Sequence, residues 1–301
     1  MSTVLRPAQS IYAALLAVGK ALRTWPMFWT MVAGVAALFY VIGADSLSST
    51  TRSVLHGLCA QRPSHSFTVG GELLPFDARM TGIYAGTLWA WGIFAVRRRV
   101  LAAGTPSWSV IALLTAAVVA MALDGFNALL VDLQLWHPYE PVNEVRLLTG
   151  FGMGVGIASL QVWLLGGTLW KLAHRRPSWD RPAELWWMVP AALATLSFIR
   201  LDIGWSYPVI ATLLVASAWI TVTGLVLVMV LAALRIEARI GSIHRLEAPL
   251  VVSALAALLI IIGLAQLRFW LERTLGIPQD LDIAAGLTLP TILLSVFEPL
   301  P

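Results

Sequence analysis

Charge is scarce in this sequence. Only 12% of its 301 residues are Asp, Glu, Lys or Arg, about half the roughly 25% usual in a soluble domain. With 58% of residues hydrophobic, a water-soluble fold would have too little polar surface to cover the rest, so the expected solvent is lipid. Cysteine is nearly absent as well. Cys59 stands alone, which excludes an internal disulfide and any zinc site built on several thiolates. Walker loops, HExxH, GxSxG and CxxC motifs are also missing, so no standard catalytic chemistry is written in the chain. The formal net charge of +4 would suggest nucleic acid in a soluble protein. Here the basic residues sit in short loops between apolar runs, which points to membrane orientation and away from nucleic acid.

What the chain does have is long apolar runs and 14 Trp, a residue suited to the headgroup zone. A spanning helix needs about 20 mostly apolar residues. Seven segments approximate this: 26–43, 79–96, 107–131, 145–170, 184–203, 207–234 and 248–270. The stretch 281–297 is apolar but broken by Pro290, and is a candidate eighth span or a re-entrant segment. The expected fold is therefore all-α, a polytopic transmembrane helix bundle of about seven spans. Residues 26–43 are too long for a signal-peptide core and read as a first span that stays. Ile11 to Leu22 reads as a short interfacial helix.

Loop charges set an orientation. Assigning loops to alternate sides puts 13 of the 20 Lys and Arg on the side of the amino terminus and 7 on the other. Acidic residues divide the opposite way, four against twelve. The positive-inside rule then places the amino terminus in the cytoplasm of a multi-pass protein of the cell (plasma or inner) membrane. Three regions follow: 1–25, cytoplasmic or interfacial; 26–170, four helices with an outer polar loop at 44–78; and 171–301, three or four further helices.

Polar residues concentrate toward the outer side. The stretch 58–86 holds Cys59, Gln61, Arg62, Ser64, His65, Asp77, Arg79 and Tyr84 around the turn formers Gly70-Gly71 and Pro75. Asp124 and Asn127 are three residues apart and share a helix face. An acid inside the membrane is costly, so Asp124 needs a partner: Arg79 or Arg146 in a structural pair, or else a proton, cation or ligand. Asn143 and Arg146 are again three apart, with Gly150 a turn further on. Gly150, Gly152, Gly154 and Gly156 form two interleaved small-xxx-small pairs, and Gly82 with Gly86 is their candidate counterpart. Arg200 and Asp202, two apart, point in different directions, and Arg268 is placed to snorkel. His56, Cys59, His65, Asp77 and Asp124 include metal-ligating types, but their spacing fits no metal rule, so no metal is expected. No cofactor can be named.

Residues 59–86, DGFNALL at 124–130 and NEVRLLTG at 143–150 together resemble a family of uncharacterised prokaryotic membrane proteins, domain of unknown function 2085. The matching positions are Cys59, Gln61, Pro63, His65, Ser66, Gly71, Pro75, Arg79, Gly82, Tyr84 and Gly86, then Asp124, Gly125 and Asn127, then Asn143, Arg146, Thr149 and Gly150. Two positions depart from the pattern. Ala60 replaces a His and Asp77 replaces a second Cys, so any Cys/His site of relatives does not transfer. The resemblance spans about residues 50 to 170 and implies a membrane fold without implying a reaction.

The ligand-site candidates are Arg62, His65, Asp77, Arg79, Tyr84, Asp124, Asn127, Asn143 and Arg146. Three readings remain open. One is binding or transport of a small solute, ion or lipid headgroup, the arginines suiting a phosphate or carboxylate. Another is an accessory subunit held to a membrane-protein partner or a second copy. The third is a membrane-embedded enzyme on a lipid-linked substrate, with Asp124, Asp77 or His65 as acid or base.

Overall fold

The computed structural model describes residues 25–42, 47–59, 61–169, 174–234 and 243–275. The proposed interfacial helix at 11–22 and the candidate eighth span at 281–297 lie outside the described residues.

Eight α-helices form the described part: α1 (Pro26–Ile42), α2 (Leu47–Leu55), α3 (Ala78–Val96), α4 (Trp108–Asp132), α5 (Asn143–Thr168), α6 (Met188–Arg200), α7 (Tyr207–Ala233) and α8 (Glu247–Thr274). Short 3₁₀ turns at 182–187, 204–206 and 243–246 lead into α6, α7 and α8. With those turns included, five helices are long and apolar enough to cross a membrane: 108–132, 143–168, 182–200, 204–233 and 244–274. They fall within a few residues of five of the seven expected spans. The other two form differently. α1 is apolar but only 17 residues long. α3 has 19 residues, yet Arg79, Tyr84, two Trp, two Thr and three Gly dilute its apolarity, and much of it is buried in the bundle. A helix wrapped by other helices can carry small and polar residues that a lipid-facing helix cannot.

The closest helix pair is α3 with α5, and glycine is the reason. A Cβ on Gly82 would lie 2.1 Å from the Leu147 carbonyl oxygen, and one on Gly86 2.2 Å from that of Phe151. Reciprocally, a Cβ on Gly150 would lie 2.2 Å from the Arg79 oxygen and one on Gly154 2.0 Å from that of Ile83. Each helix thus presents two backbone notches to the other. Gly152 and Gly156 face α4 instead, near Ala117 and Val118. The two interleaved pairs read from sequence therefore serve two neighbours.

Polar side chains of α3, α5 and α7 bond carbonyls of neighbouring helices and complete the centre. Ser217 donates to Tyr84 O at 2.7 Å, and Thr87 donates to Gly154 O at 3.2 Å. Gln161, fully buried, donates through Nε2 to Thr221 O at 2.6 Å and accepts at Oε1 from Trp91 Nε1 at 3.1 Å. One amide thus joins α3, α5 and α7, with both its oxygen and its nitrogen satisfied.

The segment expected to be an outer connector, 44–78, is structured where it is described. It contains α2 and an antiparallel hairpin, β1 (Ser66–Val69) and β2 (Glu72–Asp77). Its two-residue turn is Gly70-Gly71, at φ 61° and 81°. Positive φ at both positions is what a tight hairpin needs, and glycine supplies it without strain. Phe67, Val69, Leu74 and Phe76 are buried and join Leu55, Ile199, Tyr207 and Ile210 in one apolar core. The hairpin is thus seated on the ends of α6 and α7. At the opposite end, β3 (Ala102–Gly104) pairs in parallel with β4 (His174–Pro177), and Trp179 is buried with its Nε1 donating to Ser159 at 2.8 Å.

Candidate functional site

Charged residues gather at the two ends of the bundle. The end that carries the hairpin also carries every candidate site residue. Because β2 runs directly into α3, Asp77 falls at the helix N-cap, and its carboxylate accepts from Met80 N at 2.8 Å. Asp77 is therefore engaged in starting the helix that carries Arg79 at its second position. Tyr84, on the same helix, is buried in the apolar core with its ring 4.6 Å from that of Phe76.

Arg79 meets Asp124 across the α3–α4 gap, Nη2 to Oδ2 at 2.5 Å. The second oxygen of Asp124 accepts from the Tyr139 hydroxyl at 2.7 Å. Asn127, one turn further along α4, donates to the backbone oxygen of the same Tyr139 at 2.8 Å. The shared face of Asp124 and Asn127 therefore holds down the 133–142 loop at two points. Of the two arginines expected to compete for Asp124, Arg79 has it. The cluster is not saturated. Arg79 Nε and Asn127 Oδ1 are buried without a hydrogen-bond partner among the described residues.

Arg146 is the outlier. It is only 7% exposed. Its Nη1 donates to Asn143 Oδ1 at 3.0 Å, a turn back on α5, and it makes no ion pair with any described residue. Asn143 Nδ2 in turn faces the backbone oxygens of Ser64 and Ser66 at 3.3 and 3.5 Å. The i, i+3 relation seen in sequence is thus a hydrogen bond that ties Arg146 to the hairpin entrance. Arg62 pairs with Asp132 at 2.6 Å, both side chains largely exposed. His65 is half-buried beside these groups. Its pKa is held below the usual 6.5 by burial first and then by the charges of Arg146 and Arg62, with Asp132 and Asp77 acting the other way.

An open polar cleft of about 520 Å³ adjoins this cluster. Ser64, Ser66 and Thr68 line it from the hairpin side, Asn143 and Glu144 from the start of α5, and Arg200 and Asp202 from the end of α6. Arg200 pairs with Glu144, while Asp202 accepts from Gly70 N at 2.6 Å. The two neighbours do point different ways, as their spacing implied. Tyr139, Asp132 and Glu144 were missed as members of this region. The proline-flanked WHPYEP segment carries no local signal that its Tyr returns to Asp124. Asp132 was within reach, since Asp124 plus two helical turns places an acid on nearly the same face.

A second network lies at the same end. His56, 4% exposed, is 2.8 Å from Glu272 through Nε2 and 3.2 Å from Gln61 Oε1 through Nδ1, and stacks on Phe269 with ring centroids 4.3 Å apart. Gln61 Nε2 donates to Arg52 O and Pro75 O at 2.8 and 2.9 Å. Arg268, expected to snorkel, turns inward instead. It bonds Glu272 at 2.7 Å, His56 O at 2.8 Å and the Cys59 carbonyl. Carbonyls left free by the turn after α2 give its guanidinium a better partner than headgroup water. Cys59 Sγ accepts from the backbone N–H of Gln61 and Asp77 at 3.4 and 3.3 Å. Burial first, and the Asp77 charge second, push its thiol up to about 12, so it is a poor nucleophile. His56, Cys59, Asp77 and Asp124 each go to different partners, and no three His, Cys, Asp or Glu converge among the described residues.

Residues 59–160 match the family model of domain of unknown function 2085, described as a predicted membrane protein. The match covers the hairpin, α3, α4 and most of α5, and so contains every candidate site residue. No curated protein and no solved structure matches the chain.

Proposed function

We propose that the chain is a polytopic membrane protein of about seven spans, amino terminus cytoplasmic, whose outer end binds the anionic group of a small solute or lipid headgroup. Arg146 is the anchoring cation. A buried guanidinium bonded to one neutral amide is expensive, because among the described residues the nearby charges of Asp124, Asp77 and Asp132 offset its desolvation only in part and none is in contact with it. A carboxylate or phosphate beside it removes that penalty and suits the planar fork of Arg. The unpartnered Arg79 Nε and Asn127 Oδ1, and the polar cleft reached through Asn143, support the same reading.

The experiment is calorimetric titration of the purified full chain with inorganic phosphate and with a short carboxylate. Wild type binds one of them, and Arg146→Gln weakens binding at least about tenfold, the loss of one charge-assisted hydrogen bond worth roughly 1.5–3 kcal/mol. Arg146→Lys keeps the charge and loses the fork, so its affinity falls between the two. Equal affinity in all three rules out Arg146 as the anchor.

A pH dependence follows from His65. In the free protein its protonation is opposed by burial, Arg146 and Arg62. An anion next to Arg146 offsets that repulsion and raises the histidine pKa. Binding is then accompanied by proton uptake, and affinity rises as pH falls from about 8 to about 5. His65→Gln flattens the profile while binding persists. A wild-type profile with no slope over that range contradicts this part of the proposal.

One observation favours a second reading, an accessory subunit. Arg79–Asp124 and Arg62–Asp132 are already paired, as a purely structural cap would have them. A protein that binds neither anion and purifies only with a partner chain is the outcome that reading requires.

A further inference from the structure

The end of the bundle away from Arg79 holds a cavity of a different kind. α1 is tied to the rest of the protein at both ends. Glu247 accepts from Met27 N and Phe28 N at 2.6 and 3.2 Å, and Tyr40 shares a hydrogen bond with Thr212 at 3.1 Å. On the inner side of α1 lies an almost wholly apolar cavity of about 480 Å³. Trp25, Phe28 and Trp29 form its α1 side, with Trp219 and Leu227 of α7 and Leu165 of α5 among the residues facing them. Of the indoles that line it, Trp91 and Trp219 already donate, to Gln161 Oε1 at 3.1 Å and Ala254 O at 2.8 Å, and Thr223 carries the one lining hydroxyl among the described residues. An occupant therefore finds little beyond the Thr223 hydroxyl to bond inside and has to be largely apolar itself.

The charge at this end is uneven in a way that names the occupant. Two stretches lining the cavity, Val100–Leu101 and Leu246, are flanked by Arg98 and Arg245, both exposed. Neither side chain makes a hydrogen bond or ion pair with a described residue. The neighbours of Arg98 behave differently. Arg97 pairs with Glu184 at 2.5 Å, and Arg99 with Asp180 and Glu184 at 2.5 and 3.1 Å. Asp180 and Glu184 are thus taken by Arg97 and Arg99, and among the described residues Arg98 and Arg245 stand close in sequence to the cavity lining with their charge unpaired, as is that of Arg175, Arg176 and Arg181 in the neighbouring connection.

We propose that this cavity holds one acyl chain of an anionic phospholipid whose phosphate is met by Arg98 and Arg245. The tail supplies the apolar surface that the aromatic walls lack, and the headgroup supplies the charge that the two arginines lack. The site is at the other end of the bundle from Arg146 and stands independently of the reading given for that residue.

The test uses the full chain reconstituted in vesicles of equal phosphatidylglycerol and phosphatidylcholine. Ala216, which lines the cavity, is replaced by a photoreactive residue, and the adduct is identified by mass spectrometry after illumination. The expected adduct is phospholipid, with phosphatidylglycerol enriched roughly thirtyfold over phosphatidylcholine, since each of the two surface cations near an anionic headgroup contributes about 1 kcal/mol. Arg98→Gln with Arg245→Gln changes only exposed side chains and is expected to keep the lipid adduct while abolishing the enrichment. An adduct to residues 1–24, which run directly into Trp25, or to a second copy overturns the proposal. So do equal capture of the two lipids by wild type, and an enrichment that survives the double substitution.

Discussion

Gly82→Ala and Gly154→Ala are expected to prevent the bundle from forming, and Gly92→Ala and Gly263→Ala to leave it intact. At Gly82 and Gly154 the added methyl would sit 2.1 and 2.0 Å from carbonyl oxygens of the facing helix. These are backbone atoms, so no rotamer change relieves the clash. α3 and α5 would have to move apart along the seam, and lose the close contact that replaces the hydrophobic effect as the source of helix association in lipid. Overpacking usually costs about 1–3 kcal/mol. Here the whole seam is affected, so the loss is expected at or above the top of that range. At Gly92 and Gly263 nothing lies within 4 Å of the added methyl, and alanine is the better helix former by about 1 kcal/mol. Size-exclusion profile and thermal-shift midpoint in one detergent separate the two groups. Equal behaviour of the four variants would mean that the glycine seam does not determine assembly.

Asp124→Ala is expected to be the most damaging change to a polar side chain at the hairpin end. It strands the Arg79 guanidinium and the Tyr139 hydroxyl together, and the 133–142 loop loses one of its two ties to α4. Removing one member of a buried pair costs about 3–5 kcal/mol. Asp124 is 2% exposed and Arg79 22% exposed by side chain, so the lower part of that range applies. Asp124→Asn keeps an acceptor for Tyr139 and should recover part of the loss. Arg79→Ala together with Asp124→Ala should cost less than the sum of the single changes, because neither group is then left alone. A double-mutant cycle on thermal stability measures this. Additive losses would show that the 2.5 Å pair contributes nothing beyond its parts.

Which of these features could be read from sequence depends on their range. The notches of α3 and α5 were legible, because glycines four apart are a one-dimensional signal of a close helix face. So were the shared face of Asn143 and Arg146 and that of Asp124 and Asn127, each set by helical period alone. The assignment of Arg79 to Asp124, with Arg146 left over, was not, since it depends on where α4 lies relative to α3 and α5. The hairpin was legible in principle. SFTV and ELLPFD flank Gly-Gly, a strong short-range hairpin signal, but the surrounding membrane pattern led to the whole stretch being read as a connector. Arg268 was misjudged for a related reason. Its position near a helix end suggested headgroups, whereas its actual acceptors come from a turn some 210 residues earlier in the chain. α3 shows the limit of hydropathy itself, because the helix with the most intimate partner is not among the most apolar.

The buried amide of Gln161 bears on how the chain is made. Spans enter the bilayer in the order in which they are synthesised, so α5 is present before α7 exists. During that interval Gln161 Nε2 lacks its later acceptor, Thr221 O, in a medium that offers no water. The unfinished bundle therefore carries an exposed hydrogen-bond donor on the face where α7 must land. That donor makes the half-built protein adhesive, and it gives the incoming helix a register mark, since the Thr221 carbonyl is the group that accepts from it. Correct order of insertion is then rewarded at the moment α7 arrives, and a chain released before that moment has a polar group in lipid by which a quality-control protease can recognise it.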